Sequence, residues 1–199
     1  MPSECEIPYT ISPSEDSTIA VELFKTRLMR KRKHLLFFQN FGGQLFFSPI
    51  QPENSKLDLT VDAKSVVCRD AWLKPGKQRK ITEYARNQAL AAARHPEIQF
   101  SSNRIVPKPL RGFIVEGVLK VCGITRVLKV NLVVNPRTDG RLQLDADSSI
   151  RLTDFGITPP SSYFGLAGTK DEAVLHFLLW ARVADNGPNE DIYGNYAVK

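Results

Sequence analysis

Cysteine is scarce in this chain: Cys5, Cys68 and Cys122 are the only three among 199 residues. So odd and scattered a set argues against a disulfide framework, and no two of them stand at zinc-ligand spacing. The chain also lacks any apolar run near the roughly 18 residues that a membrane-crossing helix needs. Its first residues, MPSECEIPYTISPSED, are acidic and broken by proline, without the basic start and apolar core of a signal peptide. A cytoplasmic protein is therefore expected, or a periplasmic one if a leader was removed before this numbering. Histidine is sparse too. His34, His95 and His176 lie in three unrelated contexts, with no arrangement suited to a metal or a nucleophile–base pair. Neither an internal repeat nor a low-complexity tract is visible.

What is present is enough to build one domain. A hydrophobic content of 42% supports a substantial core, and 24% charged residues fit an ordered, globular chain. The net charge of +6 gives the surface some affinity for phosphates or acidic lipids. It does not point to nucleic acid, because no recognition helix and no basic patch interleaved with aromatics accompanies it.

Most of the sequence alternates with period two, the mark of strands with one buried face. Ile19, Val21 and Leu23 alternate with Ala20, Glu22 and Phe24, and Leu57, Leu59, Val61 and Ala63 with polar neighbours. In RLQLDADSSIRL the residues Leu142, Leu144, Ala146, Ser148, Ile150 and Leu152 share one face. Ala173, Leu175, Phe177, Leu179, Ala181 and Val183 do so in the last strand. Turn signals such as SPIQPENS, VPKPLRG, NPRTDG and ITPPSS separate these runs. About eight strands result, as in an antiparallel barrel or sandwich.

One stretch departs from the pattern. KQRKITEYARNQALAAARHP is rich in helix formers and bounded by Pro75-Gly76 and Pro96, which predicts an inserted helix over about 77–95. Its apolar face would carry Ile81, Ala85, Leu90 and Ala93. Domain boundaries are placed at 1–16 for an N-terminal extension, 17–184 for the barrel and 185–199 for a polar tail.

The closing hairpin, RGFIVEGVLKVCGITRVLKVNLVV, sets Phe113, Val115, Gly117, Leu119 and Val121 on one face and turns at Cys122-Gly123-Ile124-Thr125. Gly117 leaves room there for a bend or a close approach. With this hairpin, the stretches FFQNFGGQLFFSP, RHPEIQFSS and LTDFGI, in this order along the chain, resemble the YceI-like domains. That resemblance implies an eight-stranded, lipocalin-like antiparallel barrel with one inserted helix. It implies, too, a place among barrels of which several bind polyisoprenoids or related long-chain amphiphiles. Cys122 stands where the family commonly has histidine.

The ligand expected is an isoprenoid, an isoprenoid quinone or a fatty-acid-like lipid, with no catalytic residues, metal or other cofactor. Candidate ligand-lining residues come from the apolar faces of successive strands: Val21, Leu23, Phe38, Leu45 and Phe47, then Phe100, Phe113, Val115 and Leu128. Leu142, Leu144, Phe155, Phe164, Leu175, Phe177 and Leu179 complete the set. Each is weighed against simple core packing. Arg30, Lys31, Arg32 and Lys33, with Lys74, Lys77, Arg79 and Lys80, would form a basic rim at the barrel mouth that draws in a pyrophosphate or an anionic membrane surface, unless they are plain solvated loop. A homodimer through the inserted helix stays open.

Two other readings stand beside the carrier. One is a structural or stress-related interaction module with a filled interior. The other is an enzyme on a lipid-like substrate, which requires His176, Cys122 or Asp154 to point inward. The blander expectations are that His95 marks the helix-to-strand junction, Cys122 fills a tight site and Asp154 caps its own turn.

Overall fold

Alternating apolar residues drive each segment to bury one face, and antiparallel pairing lets successive strands share a single interior. The computed structural model describes residues 7–25, 33–159 and 168–184. Among these, the strands are β1 (Ile7–Ile11), β2 (Thr18–Lys25), β3 (Lys33–Phe38), β4 (Phe41–Phe47), β5 (Lys56–Asp62) and β6 (Val66–Cys68). They continue as β7 (Glu97–Pro107), β8 (Phe113–Val121), β9 (Ile124–Pro136), β10 (Leu142–Arg151) and β11 (Thr169–Val183).

The ladder runs β1-β4-β5-β7-β8-β9-β10-β11 and closes because β11 also pairs with β1. The remaining strands extend this wall rather than thicken it. β2 takes over from β1 along the same partner: Ile11 lies opposite Ala181 and Thr18 opposite Leu178. β3 leads into β4 in the same way, and β6 flanks β3 as β5 flanks β4. The protein is thus an eight-position closed antiparallel barrel in which β1/β2, β3/β4 and β5/β6 are interrupted strands.

The three interruptions, 12–17, 39–40 and 63–65, are neighbours in the wall. Hydrogen bonds bridge them where the ladder stops. The Gln39 amide donates to the Ser65 carbonyl at 3.3 Å and the Asp62 amide to the Asn40 carbonyl at 2.9 Å. The Ser17 hydroxyl accepts from the Trp180 amide at 3.2 Å. The first wall segment starts at Ile7, inside the stretch expected as an extension, because Ile7, Tyr9 and Ile11 sustain the alternation between the prolines.

α1 (Pro75–Tyr84) lies between the third and fourth positions and passes into a π-helical turn at Ala85–Ala89. The helix is shorter than the expected 77–95. The wider turn and Ala91, at φ 45°, rotate the end of the segment, so that Ala92 is buried where Ala93 was expected. The hairpin between β8 and β9 turns on two residues, not four: Cys122 and Gly123 take φ 50° and 77°, and Val121 faces Ile124 directly. Two left-handed residues suit a two-residue hairpin. At LTDFGI, Asp154 is exposed and the cap comes from elsewhere. The Asp171 carboxylate accepts from the Thr153 amide at 2.9 Å and its hydroxyl at 2.8 Å, so β11 fixes this corner.

Candidate functional site: an all-carbon cavity at the helix end

Register gives the barrel two unlike ends. At one, the connections 48–55, 108–112 and 137–141 come together, where Pro107 faces Phe113 and Leu142 faces Pro136. Tyr9, Ile11, Leu45, Ile105 and Leu142 are buried there and fill the interior. At the other end lie α1, the Cys122-Gly123 turn and the 152–157 corner. The half nearer the helix holds a cavity of about 170 Å³ to which the described residues present no polar atom.

Every position of the barrel contributes to the wall of this cavity, from Ile19 on β2 to Phe177 and Leu179 on β11. Ile81, Tyr84, Ala85, Ala89 and Leu90 cover it from the helix, and Leu152 and Ile157 from the corner. Phe100 bends across it because Gly117 has no side chain to keep the ring away; a Cβ on Gly117 would lie 2.5 Å from the Phe100 ring.

Of the sequence-derived candidates, Val21, Leu23, Phe38, Phe100, Val115, Leu128, Leu144, Leu175, Phe177 and Leu179 line the cavity. Leu45, Phe47, Phe113 and Leu142 do not: they belong to the filled end and pack on the core. Phe155 is buried under the corner, also off the cavity wall. Phe164 lies outside the described residues, as do Arg30, Lys31 and Arg32. Alternation told which face each residue takes, but not at what height along the barrel the filling stops. The helical lining, Ile81, Ala85 and Leu90, was visible as an apolar stripe, though nothing local tied it to the cavity.

His176, Cys122 and Asp154 are all absent from the lining. His176 faces outward, its Nε2 3.4 Å from the Glu22 carboxylate, which also pairs with Lys33 at 2.8 Å. Those two contacts account for a glutamate that is 8% exposed on the outer face of β2. The Cys122 thiol sits 3.4 Å from the Leu90 carbonyl and 3.5 Å from that of Ala89, and burial pushes its pKa up. His95 packs against Gly123 at the start of β7. Lys74, Lys77, Arg79 and Lys80 are exposed around the start of α1.

A buried polar pair at this end escaped the sequence reading. His34, wholly buried, places Nδ1 2.5 Å from the Asp70 carboxylate, whose other oxygen accepts from the Leu35 amide at 2.8 Å. Burial raises the Asp70 carboxyl, but the bonds from His34 and Leu35 more than offset it and hold the group below its ordinary range. The residues are 36 apart in sequence, so no local motif joins them.

The sequence model of the family described as "YceI-like domain" matches residues 9–179. No curated protein matches the chain. Among solved structures, BcnA of Burkholderia cenocepacia is similar, with TM-score 0.67 and 18% identity over 82% of this chain and 95% of that one. The YceI protein of Campylobacter jejuni gives TM-score 0.61 at 18% identity, over 81% and 92% of the two chains. A polyisoprenoid binding domain from Saccharophagus degradans, implicated in plant cell wall breakdown, gives 0.59 at 13% identity, over 88% and 98%.

Proposed function

We propose that this chain, which belongs to the YceI-like domain family, is a non-catalytic carrier for an isoprenoid or a similar long-chain apolar ligand held inside its barrel. The single observation that carries this reading is the carbon-only lining of the cavity, drawn from every barrel position and from the inserted helix. A hydrocarbon tail needs no placed polar partner, so such a lining satisfies it by burial alone, at about 0.8 kcal/mol for each methylene removed from water. The polyisoprenoid binding domain of Saccharophagus degradans shares the fold and lends the ligand class support.

The cavity of about 170 Å³ sets the scale of the ligand. An engineered apolar cavity of about 150 Å³ takes up benzene, so one ring or a short prenyl segment fits the closed form. A longer tail enters by displacing the helical cover, Ile81 to Leu90, while the barrel wall stays in place. The basic residues Lys74, Lys77, Arg79 and Lys80 surround that cover, which favours approach to an anionic surface from this end.

Delipidated protein incubated with prenols of increasing length, then measured by native mass spectrometry, tests the reading. Retention of one prenol per chain is expected. Protein that is isolated empty and stays empty at every length sinks it.

A further inference from the structure

The cavity is apolar throughout, yet a fully buried imidazole stands beside it with one nitrogen unused. His34 shares the inward face of β3 with Leu36 and Phe38, and it lies directly across the ladder from Leu23. Leu23, Leu36 and Phe38 all line the cavity. Directly opposed side chains on one face stand about 5 Å apart at Cβ, so the His34 ring forms the next layer beyond the apolar lining. Its Nδ1 is taken by Asp70, and its Nε2 is buried with no hydrogen-bond partner among the described residues. An unsatisfied buried polar nitrogen is destabilising, and the fold spends further groups on holding this one in place. Trp72 packs on the ring at 5.3 Å between centroids, and Lys25 lies over Trp72 at 4.5 Å. Gln78, on α1, donates to the Asp70 carbonyl at 2.9 Å.

Deepening the carrier reading, and resting on it, we infer that His34 is the anchor for a single hydroxyl at the head of an otherwise hydrocarbon ligand. The chemistry of the head follows from the proton's position. Nδ1 carries the hydrogen that Asp70 accepts, and the anchor uses the lone pair of Nε2. A lone pair calls for a donor, which an alcohol or phenol supplies and a hydrocarbon, ether or ester does not. Carboxylate and phosphate heads would bring a second negative charge close to Asp70. Cys68, the thiol beside Asp70, is pushed up to about 11 by burial and stays protonated.

The test compares a long-chain prenol with its methyl ether and the parent hydrocarbon on the full chain. Wild type is expected to favour the alcohol by about tenfold over both, the worth of one buried hydrogen bond. In His34→Leu/Asp70→Leu, which removes both buried polar partners together, the three ligands should bind alike. A readout on the unaltered protein accompanies this. With ¹⁵N-labelled histidine only three side chains report, and His95 and His176 act as internal controls. The prenol should shift the His34 Nε2 resonance and the ether should not. Equal affinity for all three ligands in wild type, or an unmoved Nε2 on saturation with prenol, overturns the anchor and leaves the carrier reading intact. Failure of all three to bind overturns both.

Discussion

The Phe100 ring packs against Gly117 on the neighbouring strand, so close that a methyl group built on the glycine would come within 2.6 Å of both the ring and the Ser101 carbonyl. The ring is a wall of the cavity only because β8 has nothing at that position. Gly117→Ala should therefore drive the ring inward and part the β7–β8 ladder, a destabilisation of about 1–3 kcal/mol. Urea unfolding would measure the loss, and prenol uptake should fall with it.

The opposite manipulation fills the space without straining the wall. Ala146 lies on β10 and lines the cavity. Ala146→Phe adds a ring where about 170 Å³ is empty. Its thermal midpoint should stay at or above that of wild type, while uptake of prenol is abolished. Undiminished uptake would place the ligand outside the barrel.

The Asp70–His34 pair makes stability depend on acid. The folded carboxyl lies below its ordinary value of 3.8. Its contribution is thus present in full above that value and is lost as pH falls through the folded pKa. Asp70→Asn should remove this acid-linked loss, so wild type and variant converge in stability as pH falls through the folded pKa. At pH 7 the variant should be less stable by about 1–3 kcal/mol, the cost of leaving a buried hydrogen-bond partner unsatisfied. Paired urea titrations at pH 7 and stepwise into acid would show whether the two curves meet.

Thiol chemistry offers a check on the helix end. Burial pushes Cys68 to about 11 and raises Cys122, so neither carries much thiolate at neutral pH. In a Cys5→Ser protein, the buried Cys68 should react with a disulfide reagent at pH 7.5 only at the rate of unfolding, and the half-buried Cys122 more slowly than in denaturant. Fast modification of Cys122 in the folded protein would mean that Ala89 and Leu90 do not cover it.

Period-two alternation made the barrel legible, because the inward face of a strand is set by neighbours two residues away. It marked Leu144, Leu175 and Leu179 as inward, as they are. It said nothing of depth: Leu142 and Leu144 read alike, yet only Leu144 reaches the cavity. Height along the barrel depends on register with other strands. The inserted helix was legible as to place, but its end was not, since a π-helical turn leaves no compositional mark. His34 and Asp70 were the least legible. Each sits in an ordinary context, KHLL and CRDAW, and only β3–β6 pairing, with Leu36 opposite Cys68, brings them together.

The three interrupted positions stand side by side, whereas β7 to β11 run unbroken for 9 to 15 residues each. The container consequently has a stiff back and a jointed front, and the front panel of β2, β3 and β6 is the one to which α1 attaches. On the carrier reading, the stiff back keeps the wall in place when the helix is displaced, and the bridges among Gln39, Asn40 and Ser65 tie the jointed front together.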